Sequence, residues 1–257
     1  MAPRTPDGPP PAPVVQRVRL RYAKRGRLRF TSHRDFARAF ERALRRAGVP
    51  MAYSAGFTPH PRVSYVGASP TGVASEAEYL EIALAERVDV ERLRTVLDAA
   101  LPDGLDVLEA VEAGPGSLAE RIAASRWHID LPGVPVEAAA AAVAALLARS
   151  EVLVERLTKE GRRHLDARAA IVRLAASRAV ADDPAGGHAI LDLVVRQVTP
   201  AVRPDDVLAA LRSVAGLAPA VPPLAVRVAQ GPLGDAGEVG DPLAADRTAE
   251  PGAAAFP

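Results

Sequence analysis

Hydrophobic and polar positions alternate along residues 14–22, which is typical of a strand with one buried face. Even-numbered positions from Val14 to Tyr22 form the mostly apolar face. The opposite face carries Arg17, Arg19 and Arg21. The pattern therefore predicts a half-buried strand whose arginines point away from the core.

Apolar residues then recur at helical spacing and predict a helix that begins at Ser32 or His33. Ser32 is a suitable N-cap, and Asp35 can pair with it near the positive end of the helix. Gly48 ends the helix and Pro50 follows. The apolar face consists of Phe36, Phe40, Leu44 and Ala47.

The remaining elements of the first half follow the same patterns. Strands are predicted at Arg62–Val66, Ala77–Leu84 and Leu105–Val111, and a helix at Val88–Ala100. The order strand, helix, strand, strand, helix, strand is that of a ferredoxin-like (βαββαβ) domain. Gly114 to Gly116 mark a domain boundary.

The second half has a similar order of elements. Strands are predicted at Trp127–Leu131, Glu151–Leu157, Asp166–Leu174, Ala189–Val198 and Leu224–Val228, and helices at Val136–Ala148 and Pro204–Val214. We therefore predict an α+β chain with two tandem ferredoxin-like domains, residues 14–113 and 117–230. The Pro-rich residues 1–13 and the acidic tail 231–257 are predicted to be disordered.

Composition excludes several classes of chemistry. The chain has no cysteine, so it holds no disulfide, thiolate zinc site or cysteine-ligated iron–sulfur cluster. No apolar run is long enough to cross a membrane, and we expect a cytoplasmic protein without a cofactor. Residues 1–63 contain 14 basic and three acidic residues, a net charge of +11, which favours a polyanion or an acidic partner.

Arginines recur at helical spacing on the first predicted helix, and we call this set the arginine row. It consists of Arg34, Arg38, Arg42 and Arg45. Guanidinium groups bind phosphates bidentately and stack on bases, so the row, with Arg29 beside it, is a candidate site for single-stranded RNA. The alternative is a solvated helix face with local salt bridges, for example to Glu41.

A second candidate site is the loop from Ser54 to Arg62, whose sequence is SAGFTPHPR. Two prolines restrict the backbone around His60, and Arg62 follows. His60 could act as a general acid or base or could donate to a phosphate. It could equally belong to a rigid turn.

A polar rim forms the third candidate site. It comprises Ser32, Asp35, Glu76 and Glu78. Glu76 and Glu78 share one strand face, where a carboxylate near the core needs a partner. No ligand spacing supports a metal site, and we predict none.

Four motifs in Arg25–Leu84 carry a resemblance to a known family. They are R-x-R-L-R-F-x-S-H-x-D, F-x-R-A-L-R-R-A-G-x-P, Y-S-x-G-F-x-P-H-P-R and G-x-x-S-E-A-E-Y. This pattern resembles the radical-SAM-associated domain of unknown function. The resemblance implies a partner, a radical SAM protein encoded nearby, since this chain lacks the cysteine motif of the fused members. A weaker likeness in fold links the chain to repeat-associated RNA-processing proteins.

Three functions remain open from the sequence. We favour a non-catalytic accessory protein of a radical SAM enzyme that contacts tRNA or rRNA through the arginine row, with His60 and Arg62 positioning one nucleotide or a loop of the partner. One alternative is a metal-independent endoribonuclease that uses His33 or His60. The other is a scaffold that binds only protein.

Overall fold

The computed structural model describes residues 11–158, 161–178 and 188–248. It is an α+β structure with antiparallel strand pairs. The chain divides into two compact units, unit 1 with residues 1–120 and 242–257 and unit 2 with residues 121–241. Within the described ranges, no helix is both long and apolar enough to cross a membrane.

Both units contain strands and helices. The strands are β1 (Gln16–Lys24), β2 (Val63–Val66), β3 (Ala74–Leu84), β4 (Val107–Glu112), β5 (Ala124–Pro132), β6 (Leu153–Thr158), β7 (Gly161–Asp166), β8 (Ile171–Arg178), β9 (His188–Arg196) and β10 (Leu224–Gly231). The helices are α1 (His33–Arg46), α2 (Val90–Ala100), α3 (Val136–Leu147), α4 (Ala167–Ala170), α5 (Pro204–Ala215) and α6 (Ala244–Arg247).

In unit 1, an antiparallel sheet with the order β4-β1-β3-β2 packs against α1 and α2. The even face of β1 is buried, as the alternation predicted, and Leu20 is fully covered. Helix α1 contributes Phe36 and Phe40 to the same core, together with Leu97 from α2. The amphipathic pattern of both helices is therefore confirmed, because their apolar faces form one core with one face of the sheet.

The opposite face of this sheet differs from the sequence prediction. Arg19 was expected to be exposed, yet it is 1% exposed. Its guanidinium donates to Asp246 at 2.8 and 3.0 Å, to Glu81 at 2.9 Å and to the carbonyl oxygen of Gly116. These acceptors cover the charge and replace water, which is what allows an arginine to be buried.

Asp246 lies in the segment that was predicted to be a disordered tail, and that prediction does not hold for residues 231–248. Residues 242–248 pack on unit 1 through α6, where Leu243 is fully buried and Arg247 pairs with Glu109. The segment is rich in Gly, Ala, Pro and acidic residues, but its few larger apolar and acidic side chains find specific partners. Residues 249–257 and residues 1–10 lie outside the described part of the chain.

In unit 2, β10-β5-β9-β8 form an antiparallel sheet, and β6 and β7 form a separate hairpin. The single strand predicted for Asp166–Leu174 is wrong, because this stretch contains the end of β7, α4 and the start of β8. The cause is Asp166, whose carboxylate accepts from the backbone N–H groups of Arg168 at 2.9 Å and Val152 at 3.0 Å. That cap starts a helical turn inside an apolar run.

Candidate nucleic-acid interface

The arginine row lies on the exposed side of α1. Its four residues fall within about 80° of arc over three turns, and about 6 Å of helix axis separates neighbours four residues apart. All four side chains are exposed. In the described ranges, none of them has a hydrogen bond or an ion pair, and Glu41 forms no salt bridge with them. The row is thus a set of guanidinium groups with free donors.

Helix α1 is held firmly beneath these arginines. The Ser32 hydroxyl accepts from the backbone N–H of Asp35 at 3.2 Å and donates to its carboxylate at 2.7 Å. On the core side, the Phe36 ring stacks on Tyr22 with centroids 4.4 Å apart and also contacts Phe40. Ser32 and Asp35, assigned to the polar rim, therefore cap the helix that presents the row.

Glu76 is engaged in ion pairs. Arg25 donates to it from Nε at 2.7 Å and from a second nitrogen, and also donates to Asp106 at 2.7 Å. Hydrogen bonding to Glu76 raises the pKa of Arg25. Arg21 donates to the carbonyl oxygen of Glu76 at 2.9 Å. The Glu76 carboxylate therefore ties β3 to Arg25 and is not a free acid.

Glu78 lies deeper in the same strand. It is 2% exposed, and its Oε2 accepts from the backbone N–H of Ser69 at 2.9 Å. Nearby, the buried Lys24 donates to the carbonyl oxygen of Pro70 at 3.3 Å. These contacts anchor the loop of residues 67–73 against β3, so the geometry supports a structural role for Glu78.

His33 begins α1 and is exposed. Its ring forms a T-shaped contact with the ring of Tyr65, with centroids 4.9 Å apart. Burial, followed by the charge of Glu41, raises the pKa of Tyr65. The imidazole of His33 has no hydrogen-bond partner in the described ranges, so no orienting group prepares it for acid–base catalysis.

The loop around His60 is closed by backbone bonds. Ser54 N–H donates to the carbonyl oxygen of His60 at 2.9 Å, and His60 N–H donates to the Ser54 hydroxyl at 3.1 Å. The imidazole itself is exposed and shares no contact with His33 within the residues that the structure describes. The rigid-turn interpretation thus accounts for the backbone bonds of His60. Its imidazole is exposed to solvent and can contact a ligand.

Arg62 lies away from the arginine row. The carbonyl oxygen of Arg62 accepts from Ala83 N–H at 3.0 Å, and Ser64 is paired with Glu81 in the same register. Cross-strand neighbours share a sheet face, so Arg62 is on the face that carries Arg19. Helix α1 packs on the other face, and the sheet of unit 1 separates these two basic regions.

Three exposed aromatic side chains were missed by the sequence analysis. Phe30 is 59% exposed, Phe57 is 73% exposed, and Tyr53 is 41% exposed. The guanidinium carbon of Arg29 lies 4.7 Å from the centroid of the Phe30 ring. Because aromatic residues make up only 4% of the chain, three exposed ones within residues 30–57 were a signal that the sequence already contained.

The described residues do not form a candidate metal site. No group of three or more His, Asp or Glu side chains there could hold a metal ion. The chemistry of the candidate site is therefore that of guanidinium donors and exposed rings, which suits anions and flat bases.

Comparisons with known proteins place the chain in a family. No curated protein matches it. A family described as "Uncharacterized protein conserved in bacteria (DUF2344)" matches residues 17–204, a range that includes the arginine row, the His60 loop and most of both units. The chain belongs to this family of uncharacterized bacterial proteins.

Proposed function

We propose that unit 1 is a non-catalytic RNA-binding module whose contact surface is the arginine row. The observation that carries this proposal is the difference between two sets of arginines. Arg19 and Arg25 have carboxylate partners, whereas the four arginines of the row have none in the described ranges. Unpaired guanidinium groups on one helix face can each contact a phosphate without first breaking an ion pair.

Single-stranded RNA fits this surface better than a duplex does. Proteins that bind single strands combine a basic track with aromatic rings on which bases stack. Phe30, with Arg29 against it, and Phe57 at the tip of the His60 loop supply exposed rings in the same unit. In this proposal His60 and Arg62 contact bound RNA elsewhere on unit 1, since Arg62 lies on the opposite sheet face from the row.

We further infer that both units have the ferredoxin-like fold. In unit 1 the strand order β4-β1-β3-β2 is the one that a βαββαβ chain adopts. In unit 2 the order β10-β5-β9-β8 is equivalent once the β6–β7 hairpin is treated as an insertion after α3. This agreement supports the tandem arrangement predicted from the order of elements.

A salt titration tests RNA binding. The affinity of the full chain for a fluorescent single-stranded RNA is measured by anisotropy between 50 and 300 mM KCl. We expect Arg38→Gln combined with Arg42→Gln to reduce the magnitude of the negative slope of log K against log salt by about 1.4, because each lost phosphate contact removes about 0.7 for a single strand.

Helix α2 offers a matched control. Arg92→Gln combined with Arg94→Gln removes the same charge from α2, where Arg92 is exposed and Arg94 is half-buried and pairs locally with Glu91 and Thr95. The control should change the slope by much less. Equal effects of the two double variants, or no salt-dependent binding of RNA by the wild-type chain, would contradict the role of the row.

The proposed partner is a radical SAM protein, as implied by the motifs in Arg25–Leu84. Such an enzyme would supply chemistry that this chain, without cysteine, cannot perform with a cluster of its own. We expect a radical SAM protein to co-purify with the tagged chain from its native cells. Recovery of RNA without a radical SAM protein would argue against this partner. Recovery of a radical SAM protein without any RNA would favour the scaffold alternative.

A further inference from the structure

A groove runs across the outer sheet face of unit 1, on the side opposite α1. A cavity of about 240 Å³ is lined there by Arg17, Arg62, Val63, Ser64, Glu81 and Ala83. An adjoining cavity of about 400 Å³ shares three of these residues and extends to Gly114 and residues 116–119. Nothing in the proposed RNA contact with α1 uses this groove.

The sheet register sets two arginines on either side of a small residue. Arg17 on β1 is paired with Ala83 on β3, and Ala83 donates its N–H to the carbonyl oxygen of Arg62. Because neighbouring strands lie about 4.8 Å apart, the two arginines are rooted about 10 Å from each other, with only a methyl group between them. Long side chains rooted in this way can close on one small anion.

The charges in the groove favour an anion. Glu81 accepts from both Arg17 and Arg19, each at 2.9 Å, and the other donors of Arg19 bond to Asp246 and to the carbonyl oxygen of Gly116. Three cations thus face two carboxylates. Arg62 is the cation without an ion pair in the described ranges, and Arg17 keeps donors that do not contact Glu81.

Ser64 adds a hydroxyl donor beside the two arginines. It is exposed, its side chain has no hydrogen bond within the described residues, and it faces the same cavity. Two guanidinium groups and a hydroxyl around a shallow polar site are the donors that recognise a phosphate.

We propose that this groove binds a phosphate-sized oxyanion, clamped by Arg17 and Arg62 and bonded by the Ser64 hydroxyl. The anion is either a free phosphate or a terminal phosphate of an RNA. The site is independent of RNA binding by the arginine row, since the two lie on opposite faces of the sheet.

Inorganic phosphate is the first probe, titrated at constant ionic strength while the guanidinium Nε–H resonances of the full chain are followed by NMR. We expect saturable shifts of Arg17 and Arg62, and at least a tenfold weaker affinity in Arg62→Gln. Arg92→Gln is the control, because Arg92 is an exposed arginine of α2 that does not line the groove, and it should leave the affinity unchanged.

The second probe distinguishes the source of the anion. A short RNA is compared with and without a 5′-phosphate, and a difference that Arg62→Gln removes would identify an RNA end as the ligand. The proposal is overturned if neither probe gives binding that depends on Arg17 or Arg62. The arginine row is tested separately by Arg38 and Arg42, so either site can fail without the other.

Discussion

Replacing Asp246 with alanine is expected to lower the free energy of unfolding by about 3–5 kcal/mol, measured by urea denaturation followed by circular dichroism. The variant leaves the guanidinium of Arg19 buried with one carboxylate, that of Glu81, in place of two. Burial opposes the charge of Arg19, and its bonds to Asp246 and Glu81 more than offset this and raise its pKa. Arginine therefore remains charged after the substitution, and the lost partner cannot be compensated by deprotonation.

Two further variants make this prediction specific. Arg247→Gln in the same helix breaks the partly exposed ion pair with Glu109, for which we expect a loss of less than about 1 kcal/mol. Arg19→Met combined with Asp246→Leu removes both buried charges and should recover most of the loss. If Asp246→Ala unfolds within 1 kcal/mol of the wild type, the segment of residues 242–248 does not stabilise unit 1 as we infer.

The Arg19–Asp246 pair also shows why some of the fold could not be predicted from sequence. The two residues are 227 positions apart, and the segment around Asp246 is rich in Gly, Ala, Pro and acidic residues, which is the composition of a disordered tail. Alternation assigned Arg19 correctly to the face opposite the core. It could not reveal that a distant segment covers this face, because alternation reports only which residues share a side.

Local patterns did predict the elements of unit 1. The period of the apolar residues in α1 and the Ser32 cap are set within one segment, so the helix and its exposed arginines could be predicted without knowledge of the fold. The strand predicted at Asp166–Leu174 failed because a single capping carboxylate interrupted a run that was otherwise suitable for a strand.

The candidate site was only partly predictable for a related reason. Sequence spacing predicts which face of a helix or strand an arginine occupies. Whether that arginine forms an ion pair depends on carboxylates that come from elsewhere in the fold. Arg25 is occupied by Glu76 and Asp106, while the arginine row is unpaired in the described ranges. The separation of Arg62 from the row likewise follows from strand pairing, which no local pattern contains.

Replacing Phe36 with alanine is expected to cost about 3–5 kcal/mol of unfolding free energy. Its ring is 3% exposed and contacts three aromatic neighbours, Tyr22, Phe40 and Tyr65. The substitution removes the stacked pair and leaves a cavity between α1 and β1, which the surrounding core fills only in part. The urea midpoint of the full chain measures this loss.

Phe36→Ala also tests whether RNA binding by the arginine row depends on the stability of unit 1. Since Phe36 packs α1 onto the sheet, its loss should weaken RNA binding only to the extent that unit 1 unfolds, and folded protein at low temperature should keep the wild-type salt slope. Phe57→Ala is the matched control, because that ring is 73% exposed and should change the unfolding free energy by less than about 0.5 kcal/mol. A Phe36→Ala variant that is as stable as this control would contradict the packing that we assign to α1.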